Sequence, residues 1–582
     1  MSAFLLVHDD VSPQRVARLD TSYQAAGFAK VQEKRLGPWR FLAFGALSEA
    51  PTAFYETQVG DWIFVVGCFV YRGMIGDAAL ASFFEDQTNG TLSVDKVTGH
   101  YITVTKRGET IEIASDPLNA LKIYHDAKRT VYSSQYTHVL ELLDAVTADP
   151  QGVYEYAWFG VVNGVTTMVR EIKSVASHMH VVIEASGRSY VLADNRPRWR
   201  LPDFSESSFE EAIDYFEDAL AGQLKAFIDH FGDRLKTALS GGYDSRLIVA
   251  LLLAGGVTPR LFVYGNEQDT DRAVALDVGK RLGIAVDAID KTQFTPDPDV
   301  DPKAQFTRSY YAFDGWKNQG IFDSGVDFSD RVNRMKGNAV FINGSAGESL
   351  RNFFYLPDGR YSIDHVISAF YSTYDPEMCS SAFDETLFRR ALRDQIALDL
   401  NVDPKAPISR DMVELVYPLF RVRYWSARDL QLNQSFGWAL YPFMLPQTIY
   451  GTATLPLSWK THGRLEAALI TRIHPEIAAV KSDYGFAFTE PPPLTYRMKM
   501  ALTYGRPAWL RKRTYRLKMR GRRHREVQFP AFLKKEALGQ HIDITFPAMT
   551  EFFQIDRITD PDVYNRVATM EYLLARSREV TM

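Results

Sequence analysis

The stretch "LKTALSGGYDSRLIVALLLAGG" (235–256) sets an apolar run against a polar turn and then a longer apolar run. The first run, ending at Leu239, is short enough for a buried strand. The second, from Asp244, ends in two glycines that stop a helix. Ser240, Gly241 and Gly242 form the turn between them. Glycines there let backbone N–H groups approach a ligand closely, and a helix start adds about half a positive charge. A turn of this kind suits an anion. Ser240 and Ser245 add hydroxyl groups, and Leu239 and Tyr243 complete the segment around the ligand. Asp244 narrows the chemistry, because a carboxylate beside a phosphate repels it unless a cation lies between them. Mg²⁺ shared by Asp244 and phosphate oxygens resolves the conflict. The alternative is a plain strand–turn–helix capped by Asp244. The stretch is neither G-x-x-x-x-G-K-[ST] nor G-x-G-x-x-G.

The elements that position this turn follow from periodicity. Residues 61–71, 100–108, 109–116, 130–135 and 178–187 are β-branched or aromatic runs separated by turn residues, so the first 200 residues read as strand-rich. The polar, proline-bearing stretch 194–207 reads as a linker. From 207 to 232 helical spacing takes over, with Phe209, Ile213, Phe216, Leu220 and Leu224 on one face. Strands and helices then alternate through 260–266, 271–283 and 339–345, which predicts a parallel sheet with helices packed on it. Beyond 360 the chain reads as mainly helical. A length of 582 residues exceeds one hydrophobic core. Two distant cysteines, Cys68 and Cys379, form neither a disulfide framework nor a metal-ligand spacing. No apolar run is long enough to span a bilayer, and the start "MSAFLLVHDD" lacks a signal-peptide pattern, so the expectation is a cytoplasmic protein.

The turn resembles the PP-loop of ATP pyrophosphatases, and the order of segments resembles the asparagine synthetase and β-lactam synthetase group over most of the chain. The segments that carry the resemblance are "SDPLNALKIYH" (115–125), "VYSSQYTHVLELL" (131–143), 156–183, "FVYGNEQDTDRAVALDVGKRLGI" (262–284), "FINGSAGESLRNFF" (341–354) and 440–486. The resemblance implies a mixed α/β and α+β chain of two domains. Residues 1–200 would be an Ntn-hydrolase-like β-sheet sandwich and 207–490 a PP-loop, Rossmann-like parallel-sheet domain, with 491–582 a basic, mainly helical extension. It implies ATP and Mg²⁺ as cofactors, with Ser240, Gly241, Gly242 and Ser245 cradling pyrophosphate. Backbone near Val263 and Tyr264 would face adenine, Gly344 would line the site, and Asp244 and Glu348 would hold Mg²⁺. For Glu348 the alternative is a glutamate favoured by a helix N-terminus. Lys481 would assist electrostatically, with Lys460 as a substitute. Ser345 stands where relatives carry a residue of the substrate chemistry.

Departures from the family narrow the function. Residue 2 is serine where the glutaminase nucleophile is cysteine, and Val66 and Cys68 replace the asparagine and glutamate that hold glutamine. The N-terminal domain is therefore expected to be a degenerate scaffold. Arg246 pairs either with an anionic substrate or with a local carboxylate. The expected activity is AMP-forming amide ligation: a carboxylate is adenylated, then attacked by an amine or ammonia, with neither glutamine nor free aspartate as substrate. The carboxylate belongs to a sugar acid of surface-polysaccharide synthesis, a peptide (as in lasso-type cyclases) or a small metabolite. Two alternatives are a nucleic-acid-modifying PP-loop enzyme and a catalytically degenerate nucleotide-binding protein. A homodimer stays open.

Charge is uneven. Between Glu490 and Glu526 there is no acidic residue, and 12 lysines and arginines fall there, so the remainder carries −17 against −5 for the whole. The segment 496–525 interleaves those cations with Tyr, Trp, Leu and Met. It reads as a basic amphipathic surface for an anionic membrane or glycan, as a nucleic-acid patch, or as a solvated helix pair balancing the acidic remainder.

Overall fold

The computed structural model describes residues 3–51, 53–193, 202–296, 299–523 and 528–581. Ser2 and most of the linker at 194–207 lie outside the described residues.

The β-rich N-terminal part builds two six-stranded antiparallel sheets. One runs in the order Ile172–Ser174, Tyr124–Asp126, Val131–Ser133, Ala3–His8, Trp39–Phe44, Lys30–Leu36. The other runs Ser189–Ala193, Met179–Glu184, Thr110–Ser115, Val97–Arg107, Trp62–Tyr71, Phe54–Glu56. The strand Trp62–Tyr71 is buried along its whole length because both faces are covered. Phe64 meets Phe41 of the first sheet, while Phe69 and Tyr71 pack on Phe83 of the helix Gly76–Thr88. The far face of the first sheet is covered in the same way, with Phe44 against Tyr23 of the helix Pro13–Ala25 and His138 of the helix Tyr136–Leu142. The result is a helix–sheet–sheet–helix sandwich. Gly99 (φ +137°) is required by close strand approach, since a Cβ there would lie 2.1 Å from the Cys68 carbonyl oxygen.

The helix Phe209–Phe231 (α1) opens with a capping box in which Ser208 and Glu211 satisfy each other's backbone N–H groups. It buries Ile213, Phe216, Leu220 and Leu224, the face its spacing predicts. Each fully buried side chain of this size stabilises the fold by about 1.5–3 kcal/mol.

The chain then enters a sheet in which every pairing is parallel. Its strands are Leu235–Ala238 (β1), Arg260–Tyr264 (β2), Val286–Ile289 (β3), Val340–Ile342 (β4) and Ala439–Leu440 (β5). Their spatial order is β3-β2-β1-β4-β5. The helix Tyr243–Ala254 (α2) follows β1, and Thr270–Leu282 (α3) follows β2. Strands are laid to one side of β1 and then to the other. The crevice beyond the carboxyl ends of β1 and β4 is therefore the point where the winding reverses, the place where open α/β sheets bind ligands. β5 lies inside a region whose sequence reads as helical. It is only two residues long, and it is held by Phe341 N–H donating to the Trp438 carbonyl and Asn343 N–H donating to the Leu440 carbonyl.

Sandwich and parallel sheet share one continuous buried apolar cluster. Buried polar bonds cross between them. Thr137 donates to Asp314 through its backbone N–H (2.8 Å) and its hydroxyl (3.0 Å), and Arg428 donates to the other oxygen of Asp314. Arg423 donates to the Leu118 carbonyl. Among the described residues no helix is long and apolar enough to cross a membrane.

Candidate ligand site at the switch point of the parallel sheet

The turn at 240–242 leaves the carboxyl end of β1, and α2 begins at once with Gly242 as its N-cap. Asp244 sits in the first turn of that helix and does not cap it. The loop after β4 closes over it. A Cβ on Gly347 would lie 2.3 Å from Asp244 Oδ1, and one on Gly344 3.2 Å from the Asp244 carbonyl carbon. Gly347 leaves no room for a side chain and Gly344 little, so the two loops meet closely and the positions of Asp244 and Glu348 become adjacent.

The turn holds its own anion. Gly241 N–H donates to Asp271 Oδ1 at 2.9 Å, Ser240 N–H to Ser245 Oγ at 2.9 Å, and Gly242 N–H to Ser240 Oγ at 3.3 Å. Asp271 lies in the first turn of α3, so its helix carries it over the end of β1. On the other side Asp483 N–H donates to the Gly241 carbonyl at 3.3 Å. Burial pushes the Asp483 carboxyl up, and the neighbouring Asp271 charge adds to this.

Asp244, in turn, holds an internal cation. Arg351 donates to both of its oxygens, at 3.1 and 3.0 Å, and lies 3.4 Å from the fully buried Glu466. Glu348 accepts a hydrogen bond from the Tyr417 hydroxyl at 2.9 Å. Burial first, then the charge of Asp244, pushes the carboxyls of both Glu348 and Glu466 up. Three acids, Asp244, Glu348 and Glu466, stand around Arg351, with Arg421 acting on Glu348 as well, so acidic groups outnumber the cations. A divalent ion held by Asp244 and Glu348 fits that deficit in kind, and in place once Arg351 releases Asp244. Among the described residues no three histidine, cysteine, aspartate or glutamate side chains are grouped to hold a metal by themselves. Mg²⁺ would complete its shell with phosphate oxygens and water, as it does in sites with one or two carboxylates.

The remaining sequence-derived positions divide. Leu239, Tyr243 and Val263 are core side chains, so only their backbones could face a ligand. Tyr243 stacks on Phe488 with ring centroids 4.0 Å apart and donates to the His462 carbonyl. Tyr264 donates to Asp330 at 2.6 Å and lies under Lys291, part of an ion network with Arg334. Ser345 lies in the loop after β4, its N–H donating to Asn343 Oδ1.

Arg246 departs from both expected partners. It is fully buried and donates to the carbonyls of Ile477, Val480 and Lys481, with its guanidinium 5.0 Å from the Phe488 ring. It therefore staples the 477–488 segment onto α2. This leaves the Lys481 side chain exposed on that segment, beside Ser482–Tyr484, which flank the turn. Lys460 is committed elsewhere: it is buried, paired with Glu414 and bonded to the Thr452 carbonyl.

Four residues of this site carry no sequence signal strong enough to single them out: Asp271, Arg351, Glu466 and Asp483. Asp271 opens the D-x-x-x-A stretch of α3 and Arg351 follows Glu348 by three, but nothing in the spacing says that they turn back onto 241 and 244.

No family model and no curated protein matches the chain. Among solved structures it is similar to one titled as the allosteric regulatory enzyme of purine biosynthesis, at 10% identity over 52% of this chain and 82% of that one, with a TM-score of 0.23. It is also similar to the glutamine phosphoribosylpyrophosphate amidotransferase from B. subtilis complexed with ADP and GMP, at 11% identity, 59% and 82% coverage and a TM-score of 0.21. Likenesses this slight do not place the chain in a family.

Proposed function

We propose that the chain is an ATP- and Mg²⁺-dependent, AMP-forming amide ligase that activates a carboxylate and passes it to an amine or ammonia. The observation that carries this is the meeting of two loops at the switch point: the Ser-Gly-Gly turn after β1 and the glycine-lined loop after β4, each delivering one carboxylate, Asp244 and Glu348. In this reading the N–H groups of Gly241 and Gly242 and the hydroxyls of Ser240 and Ser245 bind pyrophosphate oxygens. Asp244 and Glu348 bind the divalent ion, whose charge offsets that of the phosphates. Lys481, exposed on the stapled 477–488 segment, supplies positive charge nearby. The N-terminal sandwich acts as a degenerate, glutaminase-like scaffold. Cys68, in the position of the family's glutamate, is fully buried, and burial pushes its thiol up to about 12.

A second reading is favoured by one specific observation. Asp271 on Gly241 and Arg351 on Asp244 satisfy the turn from within, which suits a protein that has lost turnover. Pyrophosphate release from ATP in the presence of pooled carboxylic acids, with and without ammonia, separates the two. Ligase activity predicts release abolished by Asp244→Asn; release at background with every pool overturns it.

A further inference from the structure

Three prolines at 491–493 lead into the helix Leu494–Tyr504 (α4), which is followed by Ala508–Arg523 (α5). The pair is tied down on one side. Tyr496 packs on Phe486, Arg511 donates to the carbonyls of Phe354 and Tyr355, and Lys512 and Arg516 pair with Glu385. The outward side is apolar. Leu494, Met498 and Leu502, spaced four apart and so on one stripe, are 68%, 60% and 78% exposed. Trp509 and Leu517, eight apart on α5, are 55% and 65% exposed. None of the α4 side chains is buried. Among these apolar side chains stand the exposed cations Arg497, Lys499, Arg506 and Arg513, in a segment without a single acidic residue.

A solvated helix pair turns its leucines in and its lysines out; here both face water. Binding to a nucleic-acid backbone needs the cations but has no use for a Leu-Met-Leu stripe. An anionic lipid surface uses both: headgroup phosphates take the arginines and lysine, the acyl boundary takes the aliphatic side chains, and tryptophan favours the interface. We propose that the α4–α5 pair docks the protein on an anionic lipid surface, lying in the interface without crossing it.

The full-length chain is tested by cosedimentation with vesicles of phosphatidylcholine containing phosphatidylserine, and with vesicles of phosphatidylcholine alone. Binding is expected to the first, to weaken as salt rises, and to fall by about tenfold or more when Leu494, Met498 and Leu502 are all replaced by serine. These side chains are exposed, so the variant keeps the wild-type melting midpoint. Brominated acyl chains give an independent readout: they quench the fluorescence of Trp509, and the quenching disappears in Trp509→Phe. Failure to cosediment, equal binding to uncharged vesicles, or lipid binding unchanged by the serine substitutions overturns the proposal. So does binding to RNA or duplex DNA that exceeds lipid binding and survives those substitutions.

Discussion

Asp271 is the residue whose removal reports most directly on the turn at 240–242. Its carboxylate accepts the Gly241 N–H at 2.9 Å, the position a phosphate oxygen would take in the proposed complex. Two unit charges about 4 Å apart interact by about 1 kcal/mol in water and about 4 kcal/mol at an effective dielectric of 20. Asp271 is exposed, so the lower part of that range applies. Relief of about 1–2 kcal/mol tightens binding by about 5- to 30-fold. Asp271→Asn removes the charge but leaves an acceptor on Gly241, whereas Asp271→Ala also frees the N–H. Affinity for α,β-methylene-ATP with Mg²⁺, measured by titration calorimetry, is therefore expected to rise from wild type to Asn and again from Asn to Ala. Stability moves the other way. The first turn of α3 loses a favourable acid in both variants and the turn loses a bond in Asp271→Ala, which costs Ala about 1–2 kcal/mol and Asn less, seen as a lower melting midpoint without nucleotide. Gain of affinity with loss of stability is the signature of a displaced internal anion. If both variants bind the analogue no better than wild type, or bind none at all, Asp271 does not stand in for phosphate and the nucleotide site is elsewhere or absent.

Three further outcomes follow from buried charge. Replacing Arg351 by methionine strands Asp244 and the fully buried Glu466, a change expected to cost about 3–5 kcal/mol; Mg²⁺ should then raise the melting midpoint of the variant more than that of wild type, and equal shifts would refute a cation site at Asp244. Asp244→Asn should itself relieve the charge deficit around Glu466 and Glu348, so that it abolishes pyrophosphate release while leaving the melting midpoint at or above that of wild type. Lys122 gives a pH test: burial, then the neighbouring Arg423, pushes its ammonium down to about 7. The unfolded chain, with lysine at about 10.4, binds the extra proton between those values, and stability rises with pH across that window. Lys122→Met lacks that dependence, so its midpoint should exceed that of wild type by more near pH 6 than near pH 10, a trend read from melting curves.

Much of the fold could be read from periodicity. The runs at 61–71 and 100–108 are the paired strands Trp62–Tyr71 and Val97–Arg107, and the β–α alternation after 235 is the parallel sheet. Runs of four or five apolar residues bounded by turn chemistry leave few other options. The first sheet was less visible: 130–135 contains the strand Val131–Ser133, but Ala3–His8 and Trp39–Phe44 are buried strands without alternation. β5 is two residues held by its neighbour's backbone, and local sequence does not encode such an element. In the site, the turn at 240–245 was legible because glycine spacing and an acidic residue at a helix start are local features. Arg351, Glu466 and Asp271 were not, because their role is set by where three segments far apart in the sequence converge. Arg246 reads equally well as a ligand or as a pairing residue, and its actual partners are three carbonyls that no charge pattern could announce.

The loop after β4 shows where the chain departs from local preference. Ala346 adopts a left-handed conformation (φ +76°), which costs a non-glycine residue of order 1 kcal/mol. The next residue, Gly347, presses its backbone against the Asp244 carboxylate. Beyond it Glu466 is held with no exposure, with Arg351 3.4 Å away. A strand–turn–helix serving only as structure needs none of these. Replacing the buried Glu466–Arg351 pair as a whole by well-packed apolar groups would often cost a fold nothing, so burial of the pair is not explained by stability alone. Strain, a glycine contact and an undercompensated acid at one point are the pattern expected where a site, rather than stability, sets the residues. Its internal ions, Asp271 and Arg351, then act as the occupants a ligand must replace.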